Sequence, residues 1–343
     1  MPGPPPKSWR VDVTLAAAKE LRPGLWRLRL PLPWESANHV NAYLIAGAEP
    51  VLVDCGSAGD PTLQEALERA LALAGVALAD IRLLVATHVH SDHVGLAAHV
   101  TADSGAPLWA HADDAHCYDP LRAPADTAAQ REAAARRAGV PEARLAAYAD
   151  LREEREGILA ALEPDHALRD GDVVHSPLGP WQVIEVPGHA PSHVALLQPD
   201  QGLAIVGDLL CNVFAPSFDV GYSPDPVAET LASLDRLEAA GPFDLVLPGH
   251  GRPITDLPAV LELTRAGHRQ KLAAVREAVE AEPATAYALA ERLFGAEDDF
   301  FAVIHTHEVQ AYLDHLCQRG ELTATTSASG QLVYATERSP ARR

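Results

Sequence analysis

The densest group of chemically active side chains lies in residues 87–93, which read THVHSDH. His88 and His90 alternate on an extended segment and so point to the same side, while Asp92 and His93 follow at a turn into a helix. Imidazole nitrogens and carboxylate oxygens are ligands of zinc and other divalent transition metals. The segment therefore allows two ligands to one metal and two to another. Read alone, it also fits a polar loop at the end of a buried strand.

Three further motifs place a histidine or aspartate after an aliphatic run and beside a glycine. They are His189 in VPGH, Asp208 in VGD and His250 in LPGH. Glycine lets the backbone turn sharply and so aims the neighbouring side chain. One such histidine would more often be structural, but four groups of this form in one chain favour a shared metal site.

Short strands are the elements that must position these residues. The patterns LWRLRLPLP, VNAYLIAG and PVLVDCG between residues 25 and 56 predict three strands, and IRLLVATH predicts a buried one. Strand patterns resume between residues 172 and 208 and again in FDLVLPGHG, with a helix between them. The histidines and aspartates follow the carboxyl ends of strands, where α/β proteins usually bind ligands.

The strand patterns are interrupted in residues 113–166, where the composition predicts a helical insertion. The run AQREAAARRAG is stopped by Gly139, and Pro141 stands at the first position of a second helical pattern. Two interpretations stay open: a solvated helical hairpin, or a lid over the neighbouring site.

After residue 255 the strand patterns stop, and three helices and a hairpin around residues 329–330 predict a small winged-helix-like module. We therefore expect two domains, 1–255 and 256–343. A winged helix would suggest nucleic-acid binding, but residues 256–343 carry 13 Asp and Glu against 9 Lys and Arg. A binding module should be basic, so packing or dimerisation is the favoured role.

The overall composition excludes several classes of protein. The formal net charge of −20 argues against binding of long nucleic acids, because phosphate neutralisation needs clustered Lys and Arg. No apolar run approaches the ~18 residues of a membrane helix, and no secretory signal is visible. The four cysteines form no CxxC pair, which favours reduced thiols. We expect a cytoplasmic protein with a small-molecule substrate, no membrane or nucleic-acid partner, and homodimerisation as an option.

The His-x-His-x-Asp-His motif, followed by separate His, Asp and His motifs, resembles the metallo-β-lactamase superfamily over about residues 25–255. The resemblance implies an α+β fold, an αββα sandwich of two mixed β-sheets flanked by helices, here with the C-terminal module added. It also implies two divalent ions, zinc first and iron or manganese as alternatives. The first ion would be bound by His88, His90 and His189, the second by Asp92, His93 and His250, and Asp208 would bridge them.

The same resemblance gives roles to residues behind the ligands. Asp54 matches an aspartate that supports the ligand loop, and His193 is expected to support the site or to be structural. Cys55, where the family commonly has threonine, is expected to be a buried structural thiol. Six further histidines are expected to be ordinary, including the HxH pair in the C-terminal module: His39, His111, His116, His175, His305 and His307.

The predicted chemistry is hydrolysis by a metal-bridging hydroxide, since bound metal lowers the pKa of water from 15.7 towards about 7. Asp92, together with Asp208, is the candidate for orienting the nucleophile and passing its proton to the leaving group. A small acyl ester or thioester is the favoured substrate, by resemblance to hydroxyacylglutathione hydrolases. The alternatives are an endoribonuclease or phosphodiesterase and, further off, a lactonase or a persulfide dioxygenase.

Overall fold

The computed structural model describes residues 12–32, 38–212, 217–295 and 299–336. Its strands are β1 (Ala17–Arg22), β2 (Leu25–Pro31), β3 (His39–Ile45), β4 (Val51–Val53), β5 (Leu83–Val85), β6 (Leu108–Ala110), β7 (His166–Ala167), β8 (Val173–Ser176), β9 (Gly179–Glu185), β10 (Val194–Gln198), β11 (Leu203–Gly207), β12 (Leu245–Pro248), β13 (Thr323–Thr326) and β14 (Leu332–Ala335). Its helices are α1 (Pro61–Leu73), α2 (Ser91–Val94), α3 (Ala97–Ser104), α4 (Ala115–Arg122), α5 (Pro124–Arg137), α6 (Leu145–Tyr148), α7 (Arg152–Gly157), α8 (Pro226–Ala240), α9 (Leu257–Ala281), α10 (Ala286–Phe294) and α11 (Asp299–Gln318).

Two mixed sheets form the centre of the fold. The first has seven strands in the order β1 to β7, antiparallel from β1 to β4 and parallel from β4 to β7. The second has the order β12-β11-β10-β9-β8, with only the β11–β12 pair parallel. Strand β1 was not predicted, because most of its side chains are exposed and it lacks a regular apolar face.

The sheets pack face to face through one apolar layer. Tyr43 and Val85 from the first sheet and Trp181, Val194 and Ile205 from the second are all buried in it. Helices α1 and α3 cover the outside of the first sheet, and α8 with the start of α9 covers the outside of the second. The predicted αββα arrangement with two mixed sheets is confirmed.

One end of this sandwich collects the turns that follow the strands. Residue 54 follows β4, residues 87–93 follow β5, and residues 208 and 249–250 follow β11 and β12. Backbone hydrogen bonds tie the two sheets together there: the N–H of Val194 donates to the carbonyl of Thr87 (2.7 Å), and that of Asn41 to the carbonyl of Gly249 (2.7 Å). The predicted site residues therefore leave from rigid strand ends.

The predicted insertion contains helices α4 to α7, and their side chains are packed against the rest of the chain. Cys117, Tyr118 and Ile158 join the core under the first sheet. Leu145 and Tyr148 pack with Tyr287 of α10. The interpretation as a solvated hairpin is therefore wrong, while a lid function stays a prediction.

Beyond the sandwich, α9, α10, α11 and the β13–β14 hairpin follow in the predicted order. Their shared core contains Leu289, Tyr312, Leu313 and Tyr334, and it also takes in Phe218 from the sandwich. The winged-helix assignment and the boundary at residue 255 stay predictions. No helix among the described residues is long and apolar enough to cross a membrane.

Candidate metal centre

The structure brings all seven predicted ligand residues together at the strand ends. Potential ligand atoms of His88, His90 and His189 lie within 4.8 Å of one another. The same holds for the second predicted set: Asp92, His93 and His250.

Asp208 lies between these two sets. Its Oδ1 is 3.5 Å from Nε2 of His93, and its Oδ2 is 3.4 Å from Nε2 of His250 and 3.8 Å from Nε2 of His189. It contacts both sets from a position that is only 5% exposed. The arrangement can therefore bring one carboxylate to both predicted ions.

Each of the five histidines has one ring nitrogen next to a protein oxygen and turns the other towards the cluster. The contacts are His88 Nδ1 to Thr87 Oγ1 (3.1 Å), His90 Nε2 to Asp219 Oδ2 (2.9 Å), His93 Nδ1 to Asp54 Oδ2 (2.8 Å), His189 Nδ1 to the carbonyl of Ser217 (2.6 Å) and His250 Nδ1 to the carbonyl of His39 (3.0 Å). An N–H donated outward leaves a lone pair on the inner nitrogen. This is how protein groups behind a metal site fix the tautomer of its histidine ligands.

The inner atoms need a cation among them. Nε2 of His88 faces Nδ1 of His90 at 3.1 Å. If each ring is neutral and donates its single N–H to its outer partner, the lone pairs of these two nitrogens oppose each other. Nε2 of His93, Nε2 of His189 and Oδ1 of Asp208 are buried without a hydrogen-bond partner. Buried polar atoms are rarely left so, and this set of nitrogen and oxygen donors fits divalent transition metals.

Burial and charge favour the ligating form of His88, His189 and Asp208, whereas the carboxylates around His90, His93 and His250 outweigh burial and raise the pKa of these imidazoles, from which a metal would have to displace a proton. Burial, helped by the neighbouring imidazoles, keeps the pKa of His88 well below its usual value and lowers that of His189 to about 4. Burial raises the pKa of Asp208, but His250 and His93 outweigh it and hold the pKa well below the ordinary value. Neutral imidazoles and an ionised carboxylate are the forms that bind metal.

Asp54 supports the cluster from behind, as the resemblance implies. It is buried, and its carboxylate accepts from the backbone N–H of Thr87 (2.8 Å), the hydroxyl of Thr87 (2.8 Å) and Nδ1 of His93 (2.8 Å). Its φ of 61° lies in the left-handed region, which non-glycine residues other than Asn and Asp seldom adopt. Strained backbone of this kind is typical of functional sites.

Gly249 is required by the close approach of the ligands. A Cβ at this position would lie 2.1 Å from Oδ1 of Asp208 and 2.7 Å from Cε1 of His93. Any side chain would push the β12 turn away from the cluster. The glycine beside His250 thus serves packing as well as turning.

Two residues at the centre were missed by the sequence analysis. Oδ2 of Asp219 lies 2.9 Å from Nε2 of His90 and 3.0 Å from Nδ1 of His116. The other ring nitrogen of His116, Nε2, lies 2.9 Å from Oγ of Ser192, and this oxygen accepts from the backbone N–H of Val89. His116 is therefore not an ordinary histidine, and its prediction as one was wrong. His116 is the only histidine of α4, and Asp219 does not follow an aliphatic strand. The sequence pattern therefore indicated neither residue.

The other histidines and Cys55 are placed as follows. His193 is buried, its ring packs 4.7 Å from that of His88, and its Nε2 donates to the carbonyl of Val206 (3.1 Å). Cys55 is fully buried with its thiol 3.3 Å from the carbonyl of His93, and burial raises its pKa far above the usual value, so it is no nucleophile. His305 and His307 lie on α11, and no candidate metal group among the described residues includes them.

Comparison with known proteins gives the family context. The sequence model of one family, the metallo-beta-lactamase superfamily, matches residues 36–250, more than half of the chain. The probable metallo-hydrolase YqjP of Bacillus subtilis is 28% identical over 333 residues, which cover 90% of this chain and 96% of that protein. A hydroxyacylglutathione hydrolase of Fuscovulum blasticum is 31% identical over 205 residues, which cover 60% of this chain and 58% of that protein.

The fold comparison agrees. The crystal structure of a metallo-beta-lactamase family protein from Thermus thermophilus superposes with a TM-score of 0.80 at 28% identity, covering 93% of this chain and all of that one. That match extends well beyond residues 36–250, so it includes most of the C-terminal module. The predicted family and the prediction of a metal-dependent hydrolase are confirmed.

Proposed function

Since the chain belongs to the metallo-β-lactamase superfamily, we propose that it is a hydrolase that binds two divalent ions and cleaves a small acyl ester or thioester. The observation that carries the proposal is the pair of three-residue sets of potential ligands with the carboxylate of Asp208 between them. Zinc is the first choice for this donor set, with iron or manganese as alternatives.

The residues would divide the work of binding. His88, His90 and His189 would hold one ion, Asp92, His93 and His250 would hold the other, and Asp208 lies where it could contact both. Bound ions of this kind supply a water of lowered pKa and polarise the carbonyl oxygen of the substrate.

Asp92 is the residue placed to handle a proton. Its Oδ2 lies 3.0 Å from Nε2 of His250, and although burial opposes it, His93 and His250 lower its pKa to about 2. The ionised carboxylate of Asp92 can orient the attacking water, accept a proton from it and pass that proton to the leaving group.

We expect a small substrate. The insertion contributes His116 from α4 to the surroundings of the centre, and it is joined to the first sheet's loops by the carbonyl of Gly157, which accepts from the N–H of Ala58 (2.8 Å). A cavity of about 680 Å³ lies between α5 and residues 149–156, and none of the seven ligand residues lines it. The hydroxyacylglutathione hydrolase among the relatives supports a thioester, although the cationic thiol-binding pattern of such enzymes is not recognisable here.

We also propose that residues 256–343 are a packing unit rather than a nucleic-acid-binding one. Their acidic balance opposes phosphate contacts, and their core is joined to the sandwich by Phe218 and Val227.

The test is a metal analysis followed by a substrate panel. Purified protein should hold close to two Zn, Fe or Mn ions per chain, and its activity should vanish on chelation and return with metal. Thioesters and esters should be turned over, whereas lactones, phosphodiesters and short RNA should be poor substrates. Robust cleavage of RNA without ester turnover would reverse the proposal, and a chain that binds no metal on reconstitution would end it.

A further inference from the structure

The core of the C-terminal module contains one aromatic side chain that comes from the edge of the metal centre. Phe218 is 6% exposed and belongs to the same apolar cluster as Leu313 of α11 and Val279 of α9. Its ring lies 5.9 Å from that of Tyr312 and 6.2 Å from that of His268. The side chain is thus anchored in α9 and α11 although its backbone belongs to the sandwich.

The residues on either side of Phe218 contact two predicted metal ligands. The carbonyl of Ser217 accepts from Nδ1 of His189 (2.6 Å), and the N–H of Asp219 donates to the carbonyl of the same histidine (3.3 Å). The carboxylate of Asp219 lies 2.9 Å from Nε2 of His90. The two neighbours of Phe218 in the chain are therefore placed to orient two of the three predicted ligands of the first ion.

The second set of ligands is supported from elsewhere. Nδ1 of His93 donates to Asp54, directly after β4, and Nδ1 of His250 donates to the carbonyl of His39 in β3. Both partners lie in the first sheet or directly after one of its strands. The two ions would thus be supported by different parts of the molecule.

Residues 217–219 lie in neither a helix nor a strand, so the sheets do not fix their position. Burial of a phenylalanine ring favours the one position of the segment in which the ring is removed from water. Partners behind a ligand set its orientation, and their loss typically costs 10–100-fold in metal affinity.

We infer that Phe218 is a positioning residue through which the C-terminal module holds His90 and His189 in place for the first ion. The inference rests on the proposed two-ion centre. It assigns the module a part in assembling the metal site rather than in binding a separate partner.

The experiment compares Phe218→Ala with Leu289→Ala in the full-length protein. Leu289 is fully buried in the same cluster, on α10, so its truncation weakens the module without touching residues 217–219. Cobalt(II) titration followed by visible absorption, with metal analysis after dialysis, measures both binding steps. Thermal melting of the metal-free proteins gives the loss of stability of each variant.

Phe218→Ala should bind one of the two ions at least about 10-fold more weakly and retain about one ion per chain after dialysis. Leu289→Ala should retain two, even if its melting temperature falls as far. Equal metal loss in both variants, or wild-type affinities in Phe218→Ala, would overturn the inference. If Phe218→Ala does not fold, Phe218→Leu takes its place: weakened binding of a single ion supports the inference, and two unchanged steps refute it. A wild-type chain that binds no cobalt would remove the proposed function itself, a result distinct from these.

Discussion

The chain contains the pattern His-x-His twice, and the two copies have different fates. At residues 88 and 90 the backbone is not helical, with a bend at His88 and extended angles at His90 (φ −111°, ψ 156°), and Nε2 of His88 and Nδ1 of His90 face each other at 3.1 Å. At residues 305 and 307 the backbone is helical, where side chains two positions apart lie about 200° apart around the axis. His305 stacks on Phe294 at 3.9 Å, while His307 faces Tyr148 at 6.1 Å. The backbone conformation, and not the residue pattern, decides whether two such histidines can share a metal.

Their surroundings differ in the same sense. Burial alone would lower the pKa of His90, but the carboxylate of Asp219 behind it outweighs burial and raises the pKa to about 9. Around His307 burial dominates and lowers the pKa to about 4. His90 is thus placed where positive charge is favoured, whereas His307 is placed where it is opposed.

Loss of the shared ligand should have the largest effect on the first region. Asp208→Ala removes the carboxylate that contacts His93, His189 and His250, so activity should fall by more than about 100-fold, beyond the usual loss for a partner behind a ligand. Metal analysis should show part of the metal lost. Full metal content together with wild-type turnover would contradict the placement of Asp208 between the two ions.

Asp54 tests the support behind the ligands. Asp54→Ala removes the acceptor of His93 and also places alanine at φ 61°, so metal affinity should fall about 10–100-fold and stability should fall with it. Asp54→Asn is the matched control, because asparagine tolerates this backbone conformation and keeps an acceptor oxygen. We expect the Asn variant to retain most of the stability in thermal melting but to bind metal more weakly than wild type. Identical metal titrations for Asn and wild type would show that the charge of Asp54 is dispensable.

A smaller effect on metal affinity is expected for His116, which contacts Asp219 behind the ligand His90. His116→Ala leaves Asp219 with His90 as its remaining imidazole partner, so metal affinity should fall by less than about 10-fold, the lower limit for partners in direct contact with ligands. His175→Ala on the exposed face of β8 is the control. A loss as large as that in Asp54→Ala would mean that His116 takes a direct part in metal binding.

The sequence predicted those site residues that stand in a recognisable local pattern, a histidine or aspartate near the end of a strand. The seven ligand candidates all lie near the ends of strands, three of them beside glycine, and strand ends on one edge must converge. Asp219 and His116 gave no such signal, because their contacts depend on how the loop at residues 217–219 and α4 pack across the sandwich. Helix α11 shows the reverse problem: a motif-like pair of histidines occurs where a helical period separates the two side chains. Long-range packing, which no local pattern encodes, accounts for the failure to predict Asp219 and His116.

The smallest effect should come from the second His-x-His pair. His307→Ala removes a ring that is only partly buried, contacts Tyr148 and belongs to no candidate metal group among the described residues. We expect a stability change of about 1 kcal/mol, as for an ordinary substitution, with two metal-binding steps unchanged in cobalt titration. His90→Ala, measured beside it, removes a predicted ligand and should weaken one step strongly. If His307→Ala instead releases metal, helix α11 must contact the metal centre directly. Backbone conformation would then not explain the difference between the two His-x-His pairs.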